Sequence, residues 1–133
     1  MKNVVRRAVK TDRAPAPVGP YSQAQRVGPW LFLSGQIPLD PATGQLVSGS
    51  IEAETQRVLD NIRAVLESDG LSFADVVKTT VFLMDMGDFA KMNDIYAKAF
   101  GESRPARSTV QVSGLPKGVR IEIECVAFAT GAE

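Results

Sequence analysis

Hydrophobic positions recur along the 133-residue chain with two different periods. Two stretches carry apolar residues at helical spacing and predict amphipathic helices. The first helix begins after Ser50, a candidate N-cap, and ends near Gly70; the second begins at Asp88 and stops at Gly101. Their apolar stripes consist of Ile51, Thr55, Val58, Leu59, Ile62, Val65 and Leu66, and of Phe89, Met92, Ile95, Tyr96, Ala99 and Phe100.

Short runs rich in β-branched and aromatic residues predict the strands. A proline and a glycine in the sequence DPATG (residues 40–44) predict a turn that links two further extended segments. The predicted strands cover residues 4–9, 30–33, 76–84, 106–113 and 119–129.

The order of the predicted elements indicates the fold class. It runs strand, strand, a third extended segment, helix, strand, helix, strand, strand. Two helices among several strands predict an α+β fold, with one sheet that carries both helices on one face. We find no internal repeat, linker or low-complexity segment, and we expect a single domain over residues 1–133.

The last strand alternates more clearly than the others. Ile121, Ile123, Cys125 and Ala127 share one face, and Glu122 and Glu124 share the other. By the same alternation, Arg107, Thr109 and Gln111 are expected to lie on the face of Glu122, which Val126 and Phe128 extend as an apolar patch. This face is either an oligomer interface that contains a site or a solvated sheet surface, and the pattern alone does not decide between them.

Composition narrows the possible chemistry. Lys plus Arg and Asp plus Glu number 15 each, so no excess of positive charge indicates nucleic-acid binding. The chain has no histidine, which removes the commonest general base and zinc ligand, and its one cysteine cannot form an intrachain disulfide. No apolar run is long enough to span a bilayer. The basic residues 1–10 fit a first edge strand better than a transit peptide, and we expect a cytoplasmic protein.

Four segments point to a known family. They are GPYSQA (residues 19–24), SGQIP (34–38), PARS (105–108) and LPKGVRIEIE (115–124). Each motif is short, but the ordered set at this spacing is specific. From about residue 3 to residue 128, the chain resembles the RidA (YjgF) family.

The resemblance implies a fold, an assembly and a reaction. The fold would be the RidA-like, chorismate-mutase-like α+β fold, in a homotrimer whose sheets form a central barrel with sites between subunits. The reaction would be hydrolytic deamination of 2-iminobutanoate and 2-iminopropanoate to 2-keto acids and ammonia. It would protect enzymes that use pyridoxal phosphate from 2-aminoacrylate. No metal or organic cofactor, nucleic acid or membrane is implied.

Two residues would carry the reaction. Arg107 would grip the substrate carboxylate, because a guanidinium offers two parallel hydrogen bonds. Glu122 would position the attacking water and accept its proton. Residue type alone favours a surface arginine on a strand for Arg107 and a carboxylate in a salt bridge for Glu122.

Five further residues would complete the pocket by the same resemblance. Tyr21 would close it, Gly35 would allow close backbone approach, and Asn93 would hydrogen-bond within it. Ser34 and Thr109 would line it. Without the resemblance, Tyr21 fits a packed aromatic, Gly35 a bend at a strand end, and Asn93 a polar residue on a helix surface.

The sequence departs from the family pattern at Arg104, where many members have an aromatic residue. Pro105 is expected to hold Arg104 in an extended conformation. If Arg104 points inward, the pocket would accept a second acidic group. Two other functions stay open. One is a non-catalytic keto-acid-binding trimer that acts as a sensor or regulator, and the other is an RNA-directed activity, which the neutral charge disfavours.

Overall fold

The computed structural model describes residues 5–129, so the part of the first predicted strand at Val4 lies outside the described residues. The described chain forms six strands and two α-helices. They are β1 (Arg6–Val9), β2 (Ala24–Val27), β3 (Trp30–Gln36), α1 (Ile51–Ser68), β4 (Val76–Leu83), α2 (Phe89–Phe100), β5 (Ala106–Gln111) and β6 (Ile121–Phe128).

The strands form one mixed sheet in the order β1-β2-β3-β6-β4-β5. All neighbours are antiparallel except β4 and β5, which run parallel because α2 carries the chain back between them. One core joins the inner faces of the helices to one face of the sheet, as Leu59, Met92 and Ile123 illustrate. The predicted α+β fold with both helices on one face is therefore confirmed. Neither helix in residues 5–129 has the length and apolar composition needed to cross a membrane.

Helix ends follow local chemistry, with one difference from the prediction. The Ser50 side chain accepts a hydrogen bond from the Ala53 N–H at 3.0 Å, as expected of an N-cap. Asp88 makes no side-chain cap bond. Instead, Asp85 caps a short 3-10 turn, Met86–Asp88, that leads into α2. The prediction for Asp88 was wrong because this extra turn moves the capping position three residues earlier.

The hairpin of β2 and β3 was not predicted in full. Residues 24–27 (AQRV) pair along their length with β3, although they hold too few apolar residues to stand out in the sequence. The segments beside the predicted turn at residues 40–44 form only a single bridge, between Leu39 and Leu46. The third extended segment is therefore not a strand of the sheet.

The register of β5 overturns the predicted face of Arg107. Thr79 of β4 is paired with both Arg107 and Cys125, and paired residues project from the same face of a sheet. Arg107, Thr109 and Gln111 therefore lie on the helix-covered face, opposite Glu122. The prediction was wrong because a shift of one residue exchanges the faces, and the sequence of β5 (ARSTVQ) has no apolar alternation to fix its register.

The opposite face of the sheet carries Glu122 and Glu124 and is not covered by either helix. Trp30 packs edge-on against Phe128 at 4.9 Å between ring centroids. Phe32 remains 46% exposed beside them. The described chain thus leaves an aromatic patch uncovered on its open sheet face.

Candidate functional site

A cavity of about 440 Å³ opens where the end of α2 meets the start of β5. Because Arg107 is its most constrained charged group, we call it the arginine pocket. It is lined by Asn93, Tyr96, Ala97, Phe100, Gly101, Glu102, Arg104, Pro105 and Arg107.

Three side chains of α2 fix the guanidinium of Arg107. Its Nη1 donates a hydrogen bond to Asn93 Oδ1 at 2.7 Å. Its Cζ lies 5.3 Å from the ring centroid of Phe89 and 4.7 Å from that of Tyr96, within the range of cation–π attraction. Phe89, Asn93 and Tyr96 are spaced four and three residues apart, so they share one face of the helix. The arginine is therefore held in place before any ligand binds.

No acidic side chain in residues 5–129 forms an ion pair with Arg107. Its partners are an amide oxygen and two aromatic rings, so its charge is not neutralised by the described chain. Burial raises the pKa of Tyr96, although its hydrogen bond to Thr79 and the charge of Arg107 act in the opposite direction. With Tyr96 neutral, the arginine pocket presents a constrained cation that suits an anionic ligand.

A second cavity, of about 490 Å³, lies on the open side of the sheet. We call it the glutamate pocket, because Glu122 projects into it from β6. Its lining comes from the loop before β2, the end of β3, the 3-10 turn Pro116–Gly118 that precedes β6, and β6 itself. The lining residues are Val18, Tyr21, Ser34, Gly35, Ile37, Pro116, Lys117, Glu122 and Glu124.

Gly35 makes room for the Glu122 carboxylate. A Cβ atom at Gly35 would lie 2.8 Å from Glu122 Cδ and closer still to one carboxylate oxygen, which Cβ atoms in proteins essentially never do. The predicted role of Gly35 was close approach to a ligand. The described chain shows a different reason for the glycine, since the group that approaches it is Glu122.

Two effects raise the pKa of Glu122. The larger is partial burial, which removes water from the carboxylate, and the smaller is repulsion from Glu124 on the same strand face. A carboxylate with a raised pKa is a stronger base once ionised, which suits it to accept a proton from water. The Ser34 hydroxyl donates to the Ser22 carbonyl at 2.6 Å, so its oxygen can still accept a hydrogen bond.

The structure divides the predicted site residues between the two pockets. Arg107 and Asn93 lie in the arginine pocket, and Tyr21, Ser34, Gly35 and Glu122 lie in the glutamate pocket. Thr109 follows Arg107 on the same face of β5 but lines neither cavity. The expectation that Arg107 and Glu122 meet across one crevice on one sheet face was wrong for a single chain, because the register of β5 sends them to opposite faces.

Comparison with known proteins places this geometry in a family. A family model described as Endoribonuclease L-PSP matches residues 11–129. A human protein named 2-iminobutanoate/2-iminopropanoate deaminase is 48% identical over 128 residues, which cover 96% of this chain and 93% of the relative. The chain belongs to the RidA family. The resemblance inferred from the four motifs is thereby confirmed.

Solved RidA-family structures share the fold. RidA from an Antarctic Psychrobacter is 44% identical, with a TM-score of 0.89, over 92% of this chain and 98% of that chain. Escherichia coli TdcF with bound serine is 41% identical, with a TM-score of 0.88, over the same shares of the two chains.

Several residues that line these pockets or contact Arg107 were not predicted from the sequence of this RidA-family chain. Phe89 and Tyr96 were assigned only to the apolar stripe of a helix, although their spacing from Asn93 would have placed them beside one another. Lys117 brings a positive charge to the glutamate pocket from a left-handed backbone conformation with φ 57°. A proline immediately before it, in a turn sequence, was the available signal.

Proposed function

We propose that the protein hydrolyses 2-imino acids such as 2-iminobutanoate and 2-iminopropanoate to 2-keto acids and ammonia. The observation that carries the proposal is the guanidinium of Arg107. It is fixed by Asn93 and two aromatic rings at a cavity, and no acid in residues 5–129 pairs with it. Such a group is suited to receive the carboxylate of a small organic acid through two parallel hydrogen bonds.

The reaction needs little further equipment. Water adds its oxygen to the C=N carbon while Glu122 accepts a proton from it, and the C=N electron pair moves to nitrogen. From a protonated imine this gives a neutral carbinolamine, and Glu122 returns the proton to its nitrogen. The C–N bond then breaks and ammonia leaves, while the hydroxyl gives its proton to Glu122 and becomes the C=O of the keto acid. Because an imine is already electrophilic, fixing its carboxylate and presenting a water supply much of the required rate increase.

The separation of the two pockets supports a site shared between subunits. Arg107 of one chain and Glu122 of the same chain lie on opposite faces of the sheet, so one chain does not bring both to the same imine. We propose a homotrimer in which the arginine pocket of one copy faces the glutamate pocket of the next. The uncovered patch around Trp30, Phe32 and Phe128 gives the open sheet faces an apolar surface to bury.

Relatives support the substrate class. The human relative is named for 2-iminobutanoate and 2-iminopropanoate, and the TdcF relative was crystallised with serine, which carries an α-carboxylate next to an amino group. By extension, the protein would remove 2-aminoacrylate products in the cytoplasm and so protect enzymes that use pyridoxal phosphate. Neither a metal nor an organic cofactor takes part in this scheme.

A trapping assay tests the proposal. Threonine dehydratase generates 2-iminobutanoate, and semicarbazide captures the imine that has not been hydrolysed. We expect the wild-type protein to increase the yield of 2-ketobutyrate at the expense of the trapped imine, and Arg107→Ala to abolish the increase.

Two other outcomes would replace the proposal. Binding of 2-ketobutyrate by calorimetry, without any change in trapped imine, would favour a sensor or regulator. Cleavage of a single-stranded RNA probe, with no effect on the imine, would favour the activity for which the family model is named.

A further inference from the structure

Arg104 adopts a backbone conformation that its position disfavours. Its φ and ψ of 40° and 67° are left-handed, whereas a residue that precedes proline is normally extended. The expectation that Pro105 holds Arg104 extended was therefore wrong. The short 3-10 turn Gly101–Ser103 ends at Arg104, and the chain has to reverse there before β5 begins. Strained residues of this kind concentrate at ligand-binding positions.

The consequence of this turn is that Arg104 lines the same cavity as Arg107. Within residues 5–129, no hydrogen bond or ion pair engages the Arg104 side chain. The two residues are three apart, so their Cα atoms are separated by at most about 10 Å. Their long side chains can therefore converge on one small molecule from two directions.

The charges of the arginine pocket exceed what a simple imino acid requires. Two arginines, Arg104 and Arg107, line it together with one acidic residue, Glu102. A monocarboxylate such as 2-iminobutanoate needs only Arg107, which Asn93 holds in place. The second guanidinium has no assigned partner in that scheme.

We propose that Arg104 selects 2-imino acids that carry a second carboxylate on the side chain, such as 2-iminoglutarate. The inference rests on the proposed deaminase function and narrows its substrate class. Arg107 grips the α-carboxylate, and Arg104 pairs with the distal one at the mouth of the pocket. Because Arg104 is exposed, salt screens its contribution, which is smaller than that of Arg107.

Binding of stable keto-acid products tests Arg104 without requiring turnover. Calorimetry would compare 2-oxoglutarate with 2-oxopentanoate, which has the same number of carbons but no distal carboxylate. We expect the wild-type protein to bind 2-oxoglutarate more tightly. Arg104→Gln should weaken the binding of 2-oxoglutarate about fivefold and change the affinity for 2-oxopentanoate by less than about twofold. Arg104→Lys should keep most of the preference for 2-oxoglutarate.

Two control variants test the same binding comparison. One should strengthen the binding of 2-oxoglutarate, and the other should leave the binding of both ligands unchanged. Glu102→Gln removes the one carboxylate of the pocket and should strengthen 2-oxoglutarate binding about twofold. Arg6→Gln removes an arginine from β1, which lies at the opposite edge of the sheet from β5, and should not change the affinity for either ligand. Equal weakening of both ligands by Arg104→Gln, or no preference in the wild type, would overturn the inference.

A turnover experiment separates this inference from the proposed function. L-amino-acid oxidase acting on norvaline supplies 2-iminopentanoate, whose side chain is uncharged, and L-glutamate oxidase supplies 2-iminoglutarate. Suppose that the protein hydrolyses both imines and that Arg104→Gln lowers kcat/KM by the same factor for each. That result would support the deaminase function and contradict the proposed role of Arg104. Absence of any hydrolysis removes the function, and the binding comparison still decides whether Arg104 reads a second carboxylate.

Discussion

The arginine pocket and the glutamate pocket differ in how their key side chains are held. In the arginine pocket, Arg107 is fixed by direct contacts with one face of α2. In the glutamate pocket, the carboxylate of Glu122 occupies the space that a side chain at Gly35 would fill. In the proposed reaction, the first pocket would provide the cation that binds the substrate carboxylate, and the second would provide the carboxylate that accepts a proton from water. Each is chemically incomplete alone, which is why we infer a site between two copies.

Replacing the planar guanidinium of Arg107 with an ammonium group should have the largest effect on activity. Arg107→Lys keeps the positive charge but loses the planar fork and its stacking against Phe89 and Tyr96. We expect kcat/KM for 2-iminobutanoate to fall about a hundredfold, with an unchanged melting temperature. Activity close to that of the wild type would mean that charge alone, and not the fork, binds the carboxylate.

Filling the space beside Glu122 should have a similar or slightly smaller effect. A Cβ in Gly35→Ala would collide with the Glu122 carboxylate and displace it. Because a displacement of about 1 Å can reduce catalysis about a hundredfold, we expect kcat to fall by up to that factor.

Gly114→Ala is the matched control, since nothing lies within 4 Å of a Cβ there and its φ is not left-handed. It should retain full activity. If both alanine variants behave alike, the gap at Gly35 is not what positions Glu122.

Removing the support of Arg107 should have a moderate effect. Asn93→Ala deletes the hydrogen bond to Nη1 but leaves both aromatic rings in place. We expect kcat/KM to fall about tenfold, which corresponds to one hydrogen bond to a charged group. The neighbouring Asp94→Ala changes an exposed residue of α2 and should have no effect. A fall of less than about twofold for Asn93→Ala would show that the rings alone fix the guanidinium.

The smallest predicted effect is a shift in pH dependence. Glu122 must be ionised to accept a proton, so kcat/KM should fall as pH decreases through its raised pKa. Glu124→Gln removes the repulsion that contributes to this raised pKa. We expect the acid limb of the pH–rate profile to move to lower pH. A shift to higher pH would contradict the assignment of Glu122 as the base.

Much of the fold could be predicted because it depends on local patterns. The apolar stripes of α1 and α2 and the alternation of β6 depend only on residues close together in the sequence, and the structure confirms them. Of the seven residues predicted for the site, all except Thr109 line one of the two pockets.

The arrangement of the site could not be predicted in the same way. The face of Arg107 depends on which residue of β4 pairs with it, and the polar sequence of β5 is compatible with either register. The left-handed conformation of Arg104 was missed because the expectation considered only the following proline. The preceding 3-10 turn overrides that preference.

Mixing two inactive variants tests the shared site most directly. Arg107→Ala and Glu122→Gln chains would be unfolded together in equal amounts and refolded, and imine hydrolysis would be compared with each variant refolded alone. In a trimer with sites between subunits, every mixed assembly contains one intact site. If the site is shared, about a quarter of wild-type activity should therefore be recovered. No recovery, although mass measurement shows that mixed trimers form, would contradict it.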